Sequence, residues 1–204
     1  MNSEAQSRYL QNIDSETMLR LPKASFSGEI VMVNQLSKTY SAVKYLSNYR
    51  VLGFDTETKP VFQKGIIRLP SLLQLSTDKR AFLFRLSATG IPYPLKNLLE
   101  NADIIKAGAA VHGDIKSLKT LRRMKPAGFV DIQDIVGQYG IADKSVQKIA
   151  AIVLGVRISK SQRLTNWANP VLTAPQQAYA ATDAWVCREV YIKLKNYESN
   201  FSTE

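Results

Sequence analysis

The sequence predicts an α/β protein with a mixed β-sheet flanked by helices. Two rhythms carry this reading. Arg50–Glu57, Ser71–Ser76 and Ala81–Leu86 are short apolar-centred runs, and the last two flank Asp78-Lys79-Arg80 in a hairpin pattern. Three early strands in antiparallel array follow from that. Beyond Pro94 the chain alternates strand-like and helix-like segments, and antiparallel strands followed by such alternation indicate a mixed sheet.

Taken in order, residues 1–25 are mixed polar without a period, and Pro22 interrupts any helix there. Residues 1–27 are therefore expected to form a loose arm or a short docked helix. Gly28–Val33 reads as a short strand. Ser37 can cap a helix over about 38–48, with Tyr40, Val43 and Leu46 spaced for one face. After the three strands, Pro94–Glu100 predicts a short helix and Asp103–Gly108 a strand. Gly113–Met124 predicts an amphipathic helix, with Ile115, Leu118 and Leu121 at helical spacing. Gly128–Asp131 reads as a strand, followed by a helix over about 132–139 and another at Ser145–Leu154. The final helix starts near Ala174: Thr173 and Gln176 form a capping box and Pro175 sits in the first turn. It is expected to run to about Tyr197, leaving 198–204 as a tail.

Composition narrows the function. The chain has 204 residues, 45% hydrophobic and 22% charged, which fits one globular domain and excludes disordered, coiled-coil and fibrous classes. Cys187 is the single cysteine and His112 the single histidine, so neither an intrachain disulfide nor a Cys/His zinc quartet can form. The longest apolar run, Ile149–Val156, is far short of the ~20 residues of a membrane span, and the polar first 25 residues show no signal core. No membrane association and a cytoplasmic location are expected. The net charge is +10, from 27 Lys and Arg against 17 Asp and Glu. Such a balance suits a polyanionic partner, nucleic acid or an anionic surface, and on charge alone a solvated basic face without a partner would fit as well.

Asp55 and Glu57 lie two apart at the end of an apolar strand, so both project from the same sheet face. Two acids so placed repel each other unless a cation lies between them; a pair of exposed acids on an edge strand would also fit the pattern. Tyr179 and Asp183 are four apart on the final helix and share a face, where small Ala178, Ala180 and Ala181 allow close packing; a plain Tyr–Asp hydrogen bond on a helix surface would fit as well. Asp114 follows Gly113 at a helix start, where an acid also complements the helix dipole. Asp131 and Asp134 stand at the next helix start and are read as structural.

As a set, Phe54-Asp55-Thr56-Glu57-Thr58, then Lys106-Ala107-Gly108 leading to Gly113-Asp114, then Tyr179-Ala180-Ala181-Thr182-Asp183, resembles the three exonuclease motifs of the DEDD superfamily. The tyrosine four residues before the last Asp matches the "y" subclass. Thr165-Asn166-Trp167, Leu172-Thr173 and Val130-Asp131 resemble the Werner-syndrome-helicase-like exonuclease domain within it. The resemblance covers about residues 28–195 and implies a domain over 28–197. It implies a ribonuclease-H-like, five-stranded mixed sheet with the first three strands antiparallel. It also implies 3′–5′ hydrolysis of terminal phosphodiesters with two Mg²⁺ or Mn²⁺ ions, releasing nucleoside 5′-monophosphates. Asp55, Glu57, Asp114 and Asp183 would be the metal ligands, and Tyr179 would orient the attacking water. Mg²⁺ and Mn²⁺ are hard ions that take oxygen ligands, which suits carboxylates. A phenol of pKa near 10 is a poor base, so Tyr179 is better read as a positioner.

Five further residues are candidates for holding substrate. Thr58 follows Glu57, as in the proofreading exonucleases that this motif resembles. His112 sits beside the second motif, where a contact to backbone or to the terminal nucleotide is open. Trp167 could stack on a base or lie in the core. Lys116 and Arg163 belong to two basic stretches. One, 106–125, carries Lys106, Lys116, Lys119, Arg122, Arg123 and Lys125 against Asp114. The other, 144–182, carries Lys144, Lys148, Arg157, Lys160 and Arg163 and no acid. These are expected to frame the substrate path by contacts to phosphates, with several simply facing solvent. DNA is the expected partner ahead of RNA. An RNA exonuclease of the ribonuclease D kind shares the tyrosine motif but carries extra C-terminal helical domains, and this chain ends about 20 residues after Asp183. An idle nucleic-acid-binding domain would have no need of all four acids and the tyrosine. A ribonuclease-H-type endonuclease would have no need of Tyr179. A helicase or repair partner is left open.

Overall fold

The computed structural model describes residues 9–58 and 69–201. The elements run α1 (Ser15–Arg20), β1 (Glu29–Val33), α2 (Leu36–Leu46), β2 (Val51–Thr58), β3 (Pro70–Ser76), β4 (Arg80–Arg85), α3 (Leu86–Thr89), α4 (Tyr93–Glu100), β5 (Ile105–Gly108), α5 (Val111–Leu121), β6 (Phe129–Asp131), α6 (Ile132–Ile135), a 3₁₀ turn (Val136–Tyr139), α7 (Val146–Leu154) and α8 (Ala174–Phe201).

They form a mixed sheet in the order β1-β4-β3-β2-β5-β6. β2, β3 and β4 are antiparallel, as expected. β5 lies parallel to β2, and β6 parallel to β5. The sheet has six strands, not five, because β1 pairs in parallel with the outer edge of β4. Alternation along the strands sorts the two faces. Phe54, Leu73, Leu75, Phe82 and Phe84 pack with α2, α4 and α5 on one face. On the other, Gly53, Ser76 and Ala81 form a row of small residues, and the fully buried Ala180, Ala181 and Ala184 of α8 allow that helix close to the sheet. α7 closes a second core against α8 through Ile149, Val153, Val186 and Val190.

The capping box of α8 is formed: Thr173 N–H donates to Gln176 Oε1 at 3.0 Å, and Gln176 N–H donates to Thr173 Oγ1 at 3.3 Å. The helix continues to Phe201, beyond the expected Tyr197. Residues 202–204 of the expected tail, and 1–8 of the expected arm, lie outside the described residues. Residues 9–27 hold the short helix α1 and dock against the chain around α7 and against α8: Ile13 N–H donates to Asp143 Oδ2 at 2.9 Å, and Phe26 N–H to Thr182 Oγ1 at 2.9 Å. Phe26 is buried beside Ala81, Ala181 and Trp185, and Arg157 Nε donates to Leu21 O at 3.0 Å. Ser37 does not cap α2. That helix begins two residues earlier, at Leu36 after Gln35, and its buried face is Thr39, Ala42 and Leu46, with Tyr40 turned to solvent. Likewise α5 buries Val111 and Leu118 while Leu121 is exposed.

Lys106 contradicts its expected place in the basic frame. It is fully buried, and its Nζ donates to Asn101 O at 2.6 Å, Ile104 O at 2.7 Å and Leu98 O at 3.4 Å, so it ties the end of α4 to β5. Burial pushes its pKa down to about 8, while the three acceptors favour the charged form. Lys106→Met is expected to leave Asn101 O and Ile104 O without this donor, while Leu98 O keeps the Asn101 N–H, and to destabilise by about 2–3 kcal/mol. That is a melting-temperature fall of about 4–12 °C for a chain this size, read by differential scanning calorimetry.

Candidate active site

β2 delivers Asp55 and Glu57 to the face beneath α8, and the pairing with β3 becomes irregular between Glu57 and Thr58. α8 supplies Asp183 from above. Oxygen atoms of Asp55, Glu57 and Asp183 lie within 4.8 Å of one another. One turn before Asp183, Tyr179 stands on the same face of α8, and its hydroxyl acts on the Asp183 carboxyl to favour the charged form. Asp114 reaches the same strand end from the other face. It stands in the first turn of α5, and Thr56 Oγ1 donates to its Oδ1 at 2.6 Å. Thr56 alternates with Asp55 and Glu57, so it points away from α8 and holds Asp114 outside the cluster of three. Asp131 fixes the start of α5 from β6 by accepting Val111 N–H at 3.0 Å, and it caps α6 through Gln133 N–H at 2.9 Å.

The electrostatics are those of crowded, desolvated acids. Burial first, then Asp183, Glu57 and Asp114, drive the Asp55 carboxyl well above its ordinary range. Burial and then Asp183 and Asp114 push Glu57 up to about 8, against a downward pull from Arg163. Burial raises Asp183 to about 7, with the neighbouring Tyr179 hydroxyl pulling the other way. Burial raises Asp114 to about 6 although Thr56 opposes it. Burial, then the neighbouring carboxylates, lift the Tyr179 phenol far above 10, so it stays protonated at neutral pH. Three carboxylates this close are hard oxygen donors with unrelieved mutual repulsion, and that donor set fits a divalent cation such as Mg²⁺ or Mn²⁺.

A cleft of about 380 Å³ opens over the acids. Asp55, Asp183 and Tyr179 line its floor, Ala110 and the start of α7 at Ser145 and Gln147 one wall, and Lys160 and Arg163 are its cationic lining. Across residues 30–197 the chain matches the model of the 3′–5′ exonuclease family. The chain is a 3′–5′ exonuclease domain. It is 34% identical over 186 residues to the mouse bifunctional 3′–5′ exonuclease/ATP-dependent helicase WRN, covering 86% of this chain and 13% of that protein. It is 28% identical to ribonuclease D of Gluconacetobacter diazotrophicus, covering 85% of this chain and 44% of that one. The exonuclease thus spans less than half the length of either relative. In fold it resembles the Nibbler EXO domain of Aedes aegypti, with a TM-score of 0.77 at 19% identity, over 87% of this chain and 94% of that one. The fold is ribonuclease-H-like, as the motif resemblance implies.

Among the residues singled out in the sequence, the exonuclease brings Asp55, Glu57, Asp183 and Tyr179 into one group, with Asp114 beside it. Arg163 lines the cleft, and Thr58 ends β2 next to Glu57. Trp167 is corrected: its ring is completely buried with Leu72, Leu83 and Leu172, 6.0 Å from the Tyr179 ring, so it backs the tyrosine and has no face for a base. His112 is 84% exposed with Nε2 3.6 Å from Asp134 Oδ2, and Lys116 is exposed on α5; neither lines the cleft. Much of the basic frame serves the fold. Besides Lys106, Arg122 donates to Ile91 O, Lys148 pairs with Asp143 at 2.8 Å, and Arg157 holds the N-terminal segment. Sequence reasoning missed Thr56, whose signal was its place between two acids on a strand. It also missed Gln147, which no sequence pattern marked.

Proposed function

We propose that this domain shortens DNA stepwise from the 3′ end and releases nucleoside 5′-monophosphates. Asp55, Glu57, Asp114 and Asp183 would hold two Mg²⁺ or Mn²⁺ ions. The observation that carries the reading is the triad of acids Asp55, Glu57 and Asp183, two of which, Asp55 and Asp183, line a cleft whose lining also includes Lys160 and Arg163. Such ions, when bound, stabilise the attacking and leaving oxygens of an in-line displacement at phosphorus. The protein's own groups do the rest. The four carboxylates fix the charge at the strand end. Tyr179, locked in its protonated form and backed by Trp167, can donate a hydrogen bond and orient a water but cannot take its proton. Arg163 and Lys160 attract the phosphodiester backbone without reading bases. Thr58, at the end of β2, would contact the terminal nucleotide.

RNA is the second substrate reading, favoured by the similarity to ribonuclease D. The test offers 5′-labelled single-stranded DNA, recessed-3′ duplex and RNA with Mg²⁺ or Mn²⁺. Stepwise 3′ shortening of DNA is expected, abolished by Asp55→Ala and falling steeply with salt. Faster shortening of RNA selects the second reading. No product from any substrate would make the domain a nucleic-acid-binding module only. Tyr179→Phe removes the hydroxyl alone and keeps the ring against Trp167. Its kcat is expected to fall about 10²-fold, as for loss of one preorganised donor, with KM within about twofold. An unchanged kcat would point to an endonuclease that does not use the phenol.

A further inference from the structure

One buried polar side chain next to the acids has no task in the proposed chemistry. Gln74 on β3 is completely buried, and neither Oε1 nor Nε2 has a hydrogen-bond partner among the described residues. Its place in the sheet is fixed by register. Asp55 of β2, Gln74 of β3 and Leu83 of β4 form one row across three antiparallel strands. Directly opposite residues point to the same face with Cβ atoms about 4.5–5.5 Å apart. The amide therefore lies under α8, walled by Leu83 in its own row and by Leu72 two residues before it. Asp55 is the polar side chain beside it in the row.

A buried amide with nothing to bond to is costly, and a buried carboxylate needs donors for the lone pairs that a metal does not take. Each deficit answers the other. We propose that Gln74 is a positioning residue for the metal centre: with a divalent cation bound, its side-chain N–H groups, unpaired in this structure, become donors to the Asp55 carboxylate beside it and hold it in the orientation that presents its remaining oxygen to the ion. Partners of this kind orient metal ligands and set affinity from outside the coordination sphere. The inference rests on the metal-site reading of Asp55, Glu57 and Asp183.

Ser76 supplies an internal control. Its Oγ is equally buried and unpartnered, but it stands one row away, opposite Gly53. The experiment compares wild type, Gln74→Met, which keeps an unbranched chain of similar size without the amide, and Ser76→Ala. Mn²⁺ is titrated into each by isothermal titration calorimetry, and the metal-free melting temperature is recorded alongside. Gln74→Met is expected to melt at or above the wild-type temperature and to bind Mn²⁺ about 10- to 100-fold more weakly. Ser76→Ala should bind as wild type does. Equal Mn²⁺ affinity in Gln74→Met and wild type overturns the role of Gln74 and leaves the metal site standing. No Mn²⁺ binding by wild type overturns both. A second measurement covers the case of a Gln74→Met protein that does not fold: in ¹⁵N-labelled wild type, the Gln74 side-chain amide resonances are expected to shift and exchange more slowly with water on saturation with Mg²⁺. Unmoved resonances would also sink the proposal.

Discussion

Asp183→Asn is expected to abolish 3′-end shortening and, at pH 8 without metal, to raise the melting temperature. Both effects come from one property of the site. Asp55, Glu57 and Asp183 bring three carboxyl oxygens within 4.8 Å of one another, largely desolvated and with raised pKa values. A carboxyl whose folded pKa is raised keeps a proton in the folded chain that the unfolded chain has already lost. Stability therefore falls as pH rises from about 4, the unfolded value, to the folded values of about 7 for Asp183 and about 8 for Glu57. Asparagine keeps the shape and removes one charge, and it also relieves Asp55 and Glu57, for both of which Asp183 is the largest repelling neighbour. The gain should be a few degrees at pH 8, at about 2–4 °C per kcal/mol for this chain length. It should vanish near pH 4, where the unfolded carboxyls take up protons as well. Mg²⁺ or Mn²⁺ should raise the wild-type melting temperature at pH 8 and do less for the variant. The loss of activity should be about 10³-fold or more, some 4 kcal/mol of barrier. Calorimetry at both pH values with and without metal, together with a gel assay, reads all of this. A variant no more stable than wild type at pH 8 would mean that the acids are relieved by something other than a cation.

What the sequence revealed and what it withheld divide along physical lines. Asp55 and Glu57 were legible because strand alternation alone puts residues two apart on one face. Tyr179 and Asp183 were legible because a capped helix fixes a four-residue spacing. Neither inference needs a distant partner. The parallel pairing of β1 with β4 is long-range and leaves no mark within Gly28–Val33, so that segment reads as a strand but its place as the sixth strand of the sheet came only from the structure. Charge was legible as a total and misleading residue by residue. Lys106 and Arg157 read as surface cations, yet one holds three carbonyls in the core and the other ties down the N-terminal segment. Trp167 is the same lesson in reverse: an aromatic that suits base stacking by type is spent behind Tyr179. Which side chains find partners inside the fold is a property of packing, and no local pattern in the chain encodes it.

Gly53→Ala is expected to damage stability and catalysis together, although Gly53 touches no substrate. It lies two residues before Asp55, in the row where α8 crosses the sheet. A Cβ at this position would stand 1.9 Å from Ala184 O and 2.5 Å from Ser76 Oγ. The first contact is backbone of a buried helix, so no side-chain rotation relieves it, and α8 must move away by about an ångström or more to restore van der Waals separation. Overpacking of this kind costs about 1–3 kcal/mol, a fall of about 2–12 °C in melting temperature. The displaced carbonyl belongs to the residue after Asp183, so the shift separates Asp183 from Asp55 and Glu57. Misplacement by about 1 Å can cost 10²-fold in rate, and Mn²⁺ affinity should fall with it because the ligands no longer meet. Gly113→Ala is the control for stability: a Cβ there meets nothing within 4 Å, and alanine in a helix is favoured over glycine by up to about 1 kcal/mol. Its melting temperature should hold or rise. If Gly53→Ala instead kept both the wild-type melting temperature and the wild-type Mn²⁺ affinity, the close approach of α8 would not be what assembles the acids. Their convergence would then have to be carried by the capping box at Thr173 and Gln176 and by the packing of Trp167 behind Tyr179.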